Sequence, residues 1–261
     1  MQERKRLTLV RTNFSIELIL TISNIFRMKT SFILFILTVG LATGIAQTNK
    51  RPYQVSKAEK AEGFVPLFNG INMSGWNGNL KDYLPHDGML VCDPSQGGNG
   101  NLYTDKEYSD FIMRFEFRLT PDAHNGLGIR TPLEGDASYV GIEIQIIDNE
   151  ADMYRTLKHY QYHGSVYGVI SAKYSYLKPV GEWNTQEVIA KGNRITVTLN
   201  NTVILDGDIA EATENFKVTI DGHKHPGLSN KSGHIAFLGN RWPLAFRNLR
   251  IKDLSTPVAG K

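Results

Sequence analysis

The run Asp110–Leu119 reads as one strand, and from Phe111 onward it alternates without a slip. Phe111, Met113, Phe115, Phe117 and Leu119 take every second position, and Ile112, Arg114, Glu116 and Arg118 stand between them. Successive side chains of a strand point to opposite faces, whereas a helix would scatter this set around its circumference. Five large apolar groups on one face then demand a second apolar layer to cover them. Arg194–Leu199 repeats the pattern, with Ile195, Val197 and Leu199 on one face and Thr196 and Thr198 on the other. Further strand-like runs are Phe64–Phe68, Met89–Cys92, Gly126–Thr131, Tyr139–Ile147, Val166–Ile170, Gln186–Ala190, Thr202–Asp206, His234–Leu238 and Leu244–Ile251. Turn residues separate them, among them Asn69-Gly70, Asp87-Gly88, the run from Gly97 to Gly100, Asn193, Asn200-Asn201 and Asp221-Gly222. Many short strands without intervening helical patterns predict an all-β antiparallel sandwich or barrel. Ser56-Lys57-Ala58-Glu59 has capping-box spacing and predicts a short helix over 57–62 ahead of it.

The front of the chain has a different character. Met28-Lys29-Thr30 leads into an apolar run that ends in Gly44-Ile45-Ala46, the pattern of a secretory signal peptide cleaved before Gln47. Residues 1–27 then read as an upstream mis-start. The alternative is a membrane anchor that also uses Phe14–Phe26, although the apolar run is shorter than the roughly 20 residues of a span. The expected organisation is 1–27 upstream, 28–46 signal peptide, 47–62 lead-in, 63–254 β-domain and 255–261 tail. The localisation that follows is export to the periplasm or beyond, with no stable membrane insertion after cleavage.

Charge supports this division. The whole chain carries 29 basic and 26 acidic side chains, and six of the basic against two of the acidic lie in the first 46 residues. The remainder is slightly acidic, which argues against a nucleic-acid partner. The single cysteine, Cys92, excludes an internal disulfide framework and a Cys-rich zinc site. There is no Walker A loop, no His-Glu-x-x-His and no Gly-x-Ser-x-Gly, and Gly126-x-Gly128 lacks the third glycine of a dinucleotide fingerprint.

Three segments could carry chemistry. In Gly141–Asp148 the isoleucines at 142, 144 and 146 take the core face, so Glu143 and Gln145 point together to the other, with Asp148 at the strand end. In His124–Arg130, Leu127 and Ile129 face the core, which puts His124, Gly126, Gly128 and Arg130 on the opposite face. The two glycines leave that surface bare for close approach of a ligand. If the two strands are neighbours, Arg130, Glu143, Gln145 and His124 form one polar patch. A surface ion pair between Arg130 and Glu143 is the structural alternative. The third segment, His159–Gly168, is rich in histidine and tyrosine, groups that stack on sugars and move protons. Its His159-x-x-x-His163 spacing would suit a metal only on a helix, which Gly164 opposes. Trp183 reads equally as a core aromatic or a binding platform, and the histidines of Asp221–Leu228 read as solvated.

Taken in order, these pieces resemble the 3-keto-disaccharide hydrolase domain family. The resemblance rests on Gly63–Gly70 with Ser74-Gly75-Trp76, Asn125-Gly126 with Arg130, Glu143-x-Gln145-x-x-Asp148, Gly164–Gly168, Gly181–Asn184, Gly233-His234-Ile235 and Phe246-Arg247-Asn248. It implies a concanavalin-like jelly-roll sandwich, a carbohydrate substrate and a setting among the exported proteins of Bacteroidetes-type bacteria. It also implies cleavage of glycosides oxidised to a ketone at C3, by removal of the C2 proton and loss of the C1 substituent. On this reading Glu143 or His163 is base or acid, and Arg130, with or without a divalent metal ion, stabilises the enolate. His124, Gln145, Asp148, Tyr167 and Trp183 hold the sugar. The chain departs from the family pattern at Gly239-Asn240-Arg241-Trp242, where a Gly-His-Gly turn is common. The alternative function is a non-catalytic, lectin-like sugar-binding domain.

Overall fold

A computed structural model describes residues 53–239 and 241–255. The expected upstream segment, the signal peptide and Asn240 lie outside the described residues. No described helix is long and apolar enough to cross a membrane.

Among the described residues the first element is helix α1 (Lys57–Glu62), closed at its N-terminus by the Ser56/Glu59 capping box and at its C-terminus by Gly63. Thirteen strands follow among the described residues. The larger sheet is built from β1 (Val65–Pro66), β3 (Tyr83–His86), β4 (Met89–Cys92), β6 (Phe111–Leu119), β9 (Trp183–Lys191), β10 (Arg194–Leu199), β11 (Thr202–Asp208) and β13 (Leu244–Asp253). Its order is β11-β10-β9-β6-β13-β4-β3, with β1 paired to β13. The smaller sheet, of order β2-β5-β12-β7-β8, comprises β2 (Trp76–Gly78), β5 (Leu102–Tyr108), β7 (His124–Thr131), β8 (Ile142–Ile147) and β12 (Gly233–Phe237). All pairings are antiparallel.

The alternation read in β6 closes the sandwich. All five of its odd-numbered apolar side chains are buried, and its other face is half-exposed. They meet Leu127, Ile129, Ile142, Ile144, Ile146, Ile235 and Phe237 from the smaller sheet. Phe237 lies at the centre, stacked on Phe246 at 4.1 Å between centroids, with Trp76, Tyr83 and Phe115 around it. Cys92 is buried, and its thiol is pushed up to about 12 by desolvation, so it stays protonated.

Three strands escape the period-two reading. β2 and β3 are only three and four residues long, and β5 contains the charged run Asp105-Lys106-Glu107. Two expected strands are corrected. Tyr139 belongs to a helical turn, α2 (Ala137–Val140), because the Asp136 carboxylate caps the Ser138 amide, and the strand starts only at Ile142. Val166–Ile170 forms no strand. Val166 bridges Ile144, and the segment straps the free edge of β8.

Removing the central ring should leave a cavity that neither sheet can collapse into. Phe237→Ala is expected to cost about 4 kcal/mol in denaturant unfolding. A loss below about 1 kcal/mol would mean that the two sheets do not pack through this ring.

Candidate active site

The pocket forms on the outer face of the smaller sheet, where β7 and β8 lie side by side. In register, Gly128 is opposite Glu143, Gly126 opposite Gln145 and His124 opposite Ile147. Glu143 leans diagonally, so a Cβ placed on Gly126 would run into Glu143 Oε1. The bare glycine surface is therefore filled by the carboxyl group itself. The strap supplies the next wall, with Gln145 N–H donating to Ser165 O at 3.0 Å and Tyr167 N–H to Glu143 O at 3.0 Å. α2 overhangs the pocket with Asp136, Ser138 and Tyr139, and Arg241 and Trp242 close the far end. The cavity is about 550 Å³, within the roughly 300–1,000 Å³ of small-ligand sites.

Burial sets the protonation states. Glu143 is 6% exposed, and desolvation pushes its carboxyl up to about 7, opposed by the Ser138 hydroxyl and aided by Asp136. Desolvation also lowers His124, beside the Gln145 amide, so its imidazole is neutral at pH 7. The phenols of Tyr139 and Tyr167 are raised by burial and stay protonated. Gln145 is 1% exposed, and its Oε1 accepts no hydrogen bond from any described residue. An acceptor left unpaired at a pocket wall is ready for a ligand hydroxyl.

The model of the 3-keto-alpha-glucoside-1,2-lyase-like domain matches residues 63–252. The chain belongs to that family. A curated relative, the 3-keto-disaccharide hydrolase of Bacteroides thetaiotaomicron, is 23% identical over 230 residues, covering 74% of this chain and 79% of its own. Two crystal structures of candidate glycosyl hydrolases from Parabacteroides distasonis share the fold. One superposes with a TM-score of 0.66 at 24% identity, covering 78% of this chain and 100% of its own. The other gives 0.63 at 25% identity, covering 73% and 99%.

In this member of the 3-keto-alpha-glucoside-1,2-lyase-like family, Glu143, Gln145, His124 and Tyr167 line one pocket. The remaining expected residues do not line it. Arg130 sits at a register shift between β7 and β12 with φ of 50°, which turns its side chain off the expected face. Its guanidinium donates to Ser109 O at 3.0 Å and to Asp110 at 3.1 Å, so the expected four-residue patch lacks it. His163 points between the sheets, stacked on Phe117 at 5.0 Å with Nε2 2.9 Å from Gln186 Oε1. Burial lowers it to about 4, which makes it a neutral core histidine. Asp148 ties two turns by accepting from the amides of Asp122 and Glu150. Trp183 is on the outer face of the other sheet, with the Arg247 guanidinium 4.0 Å from its ring centroid.

Sequence reasoning misses Asp136 and Ser138, which fall in no expected element, and Tyr139, which it places at the start of a strand. Asp136 followed two residues later by a small polar residue is the capping signal that would have found them. Arg241 and Trp242, which stand where the chain departs from the family pattern and are expected to reshape the pocket, line it. His124, Tyr154 and Trp242 form an aromatic cluster at that end, with centroids 5.7–6.5 Å apart. No group of three or more His, Cys, Asp or Glu side chains is placed to hold a metal ion among the described residues.

Glu143 titrates higher folded than unfolded, so its protonated form favours the fold. That stability is present below about pH 4.5 and is lost as pH rises through about 7. Glu143→Gln removes the burial of charge. Relative to the parent, it is expected to gain about 3 kcal/mol at pH 8.5 and nothing at pH 4. Chemical unfolding of both proteins at the two pH values checks this, and an equal difference at both would show that Glu143 is not desolvated.

Proposed function

We propose that the protein is a carbohydrate-active enzyme that cleaves 3-keto-glycosides. The observation that carries this reading is the Glu143 carboxyl, buried over Gly126 in a sugar-sized pocket with its pKa near 7. A base of that strength suits removal of a proton from carbon next to a ketone at neutral pH. Family membership and the name of the curated relative support the 3-keto substrate.

The steps follow from charge. A ketone at C3 acidifies the C2 proton, and Glu143 takes it. The electron pair moves onto the C3 oxygen as an enolate, where a positive or hydrogen-bonding group lowers the barrier. Arg241 is the cation lining the pocket, and it takes the role expected of Arg130, whose guanidinium is engaged with Ser109 and Asp110. Return of the electron pair expels the C1 substituent and leaves a C1=C2 double bond. Water adding across that bond gives the free 3-keto sugar. Gln145 Oε1 and His124 are placed to accept hydrogen bonds from ring hydroxyls, and Trp242 offers an apolar face to a sugar.

An ordinary glycosidase requires two carboxylates set across the bond. Asp136 also lines the pocket, but its carboxylate is held by the Ser138 amide at 3.1 Å. The test is to incubate residues 47–261 with a glucoside and its 3-keto derivative and follow aglycone release. Release from the keto sugar alone is expected, reduced at least about 100-fold in Glu143→Gln. Equal release from the unoxidised glucoside would sink the elimination mechanism. Sugar binding without any release would establish the lectin-like alternative.

Export is part of the proposal and rests on the sequence of Met28–Ala46. Expressed from Met28 in a Gram-negative host, the soluble periplasmic protein should begin at Gln47 by intact-mass spectrometry. Retention of the leader in the membrane fraction would instead favour an anchor.

A further inference from the structure

We infer that Tyr139 is the general acid that protonates the departing aglycone, and that the buried Asp221–His225 pair behind it is its positioning device. The inference rests on the elimination reading above and names the acid which that reading leaves open.

Tyr139 enters the pocket from α2, beside Ser138, which hydrogen-bonds Glu143. Its phenol is hydrogen-bonded to that of Tyr167, and the two rings are 6.5 Å apart. Acid and base thus project from neighbouring elements into one cavity, as an elimination needs. His124 cannot serve as the acid at neutral pH, because its burial keeps it unprotonated.

Behind Tyr139 the His225 ring packs at 4.8 Å between centroids. His225 Nε2 lies 2.9 Å from Asp221 Oδ2, and the two side chains are 1% and 4% exposed. The pair is wedged tightly. Gly168 has φ of 71°, and a Cβ there would collide with both Asp221 and His225. Ile220 N–H donates to Gly168 O at 3.1 Å, which locks the pair to the residue after Tyr167. From the other side, Asn230 Nδ2 donates to Val140 O at 2.8 Å and fixes the end of α2. Both pocket tyrosines are therefore referenced to one buried pair. Apolar side chains would hold a ring without burying a carboxylate. What the carboxylate adds is a fixed hydrogen-bond partner for His225 Nε2, which holds that ring against Tyr139. The proton stays on Tyr139 until an alkoxide forms in front of it.

The protons balance over the cycle. Glu143 holds the C2 proton after the first step. As the C1–O bond breaks, the Tyr139 proton passes to the aglycone oxygen and leaves a phenolate. That phenolate takes a proton from the incoming water as its oxygen bonds C1, and Glu143 returns its proton to C2.

The experiment compares an alkyl with a 4-nitrophenyl 3-keto-glucoside, since 4-nitrophenolate leaves with little proton donation. Tyr139→Phe should lower kcat for the alkyl substrate about 100-fold and for the nitrophenyl substrate about tenfold less. Asp221→Asn should lower alkyl kcat about tenfold with KM within twofold and thermal midpoint close to the parent. A merely structural pair would instead lower stability and both substrates together, and that result overturns the positioning role. Equal losses on the two substrates in Tyr139→Phe overturn its role as acid. No release of either aglycone by the parent protein overturns the elimination reading, and this inference with it.

Discussion

β8 is withdrawn from water on both of its faces. Ile142, Ile144 and Ile146 fill the space between the sheets, while Glu143 and Gln145 lie beneath the strap and α2. A carboxyl group in such a place cannot keep its solution pKa. Its elevation, the glycine under it and the unpaired acceptor of Gln145 are all consequences of one strand having no solvated side. The inner face is what makes this durable, because sliding the strand by one residue would move three isoleucines out of the core.

The sandwich was legible because strands such as β6 and β10 keep strict alternation. β4 and β10 match the expected bounds, and β6 matches but for its first residue. Short strands such as β2 carry too few residues for a period to register. The site was half legible. Glu143, Gln145 and His124 follow from alternation alone, and Tyr167 from its company of aromatic residues. Arg130 was misplaced because a bulge reverses facing without any mark that alternation can detect. His163 was misplaced because stacking on Phe117 and pairing with Gln186 are contacts with the opposite sheet, far away in sequence. Trp183 and the Asp221–His225 pair failed for the same reason, since which sheet a loop packs against is a property of topology.

Two kinds of charge organise the molecule. On the outer face of the larger sheet, Glu59, Arg114, Glu187 and Arg250 form a linked set of ion pairs that fastens α1 to the sandwich. These groups are paired and partly wet, so each contributes little. At the pocket on the smaller sheet, Glu143 and Gln145 are dry. A group there acts through its altered proton affinity, because the surrounding dielectric is low. The same side-chain chemistry thus serves attachment on one side and reactivity on the other.

The strap along β8 has a further consequence. β8 is the terminal strand of its sheet, and without Gly164–Tyr167 its amides and carbonyls would face open solution. Such an edge, flanked by three isoleucines, is a template for pairing with another chain. The segment that walls the pocket therefore also acts as a guard against self-association. Loosening it to admit bulkier ligands would trade solubility for access, which limits how far this wall can be remodelled.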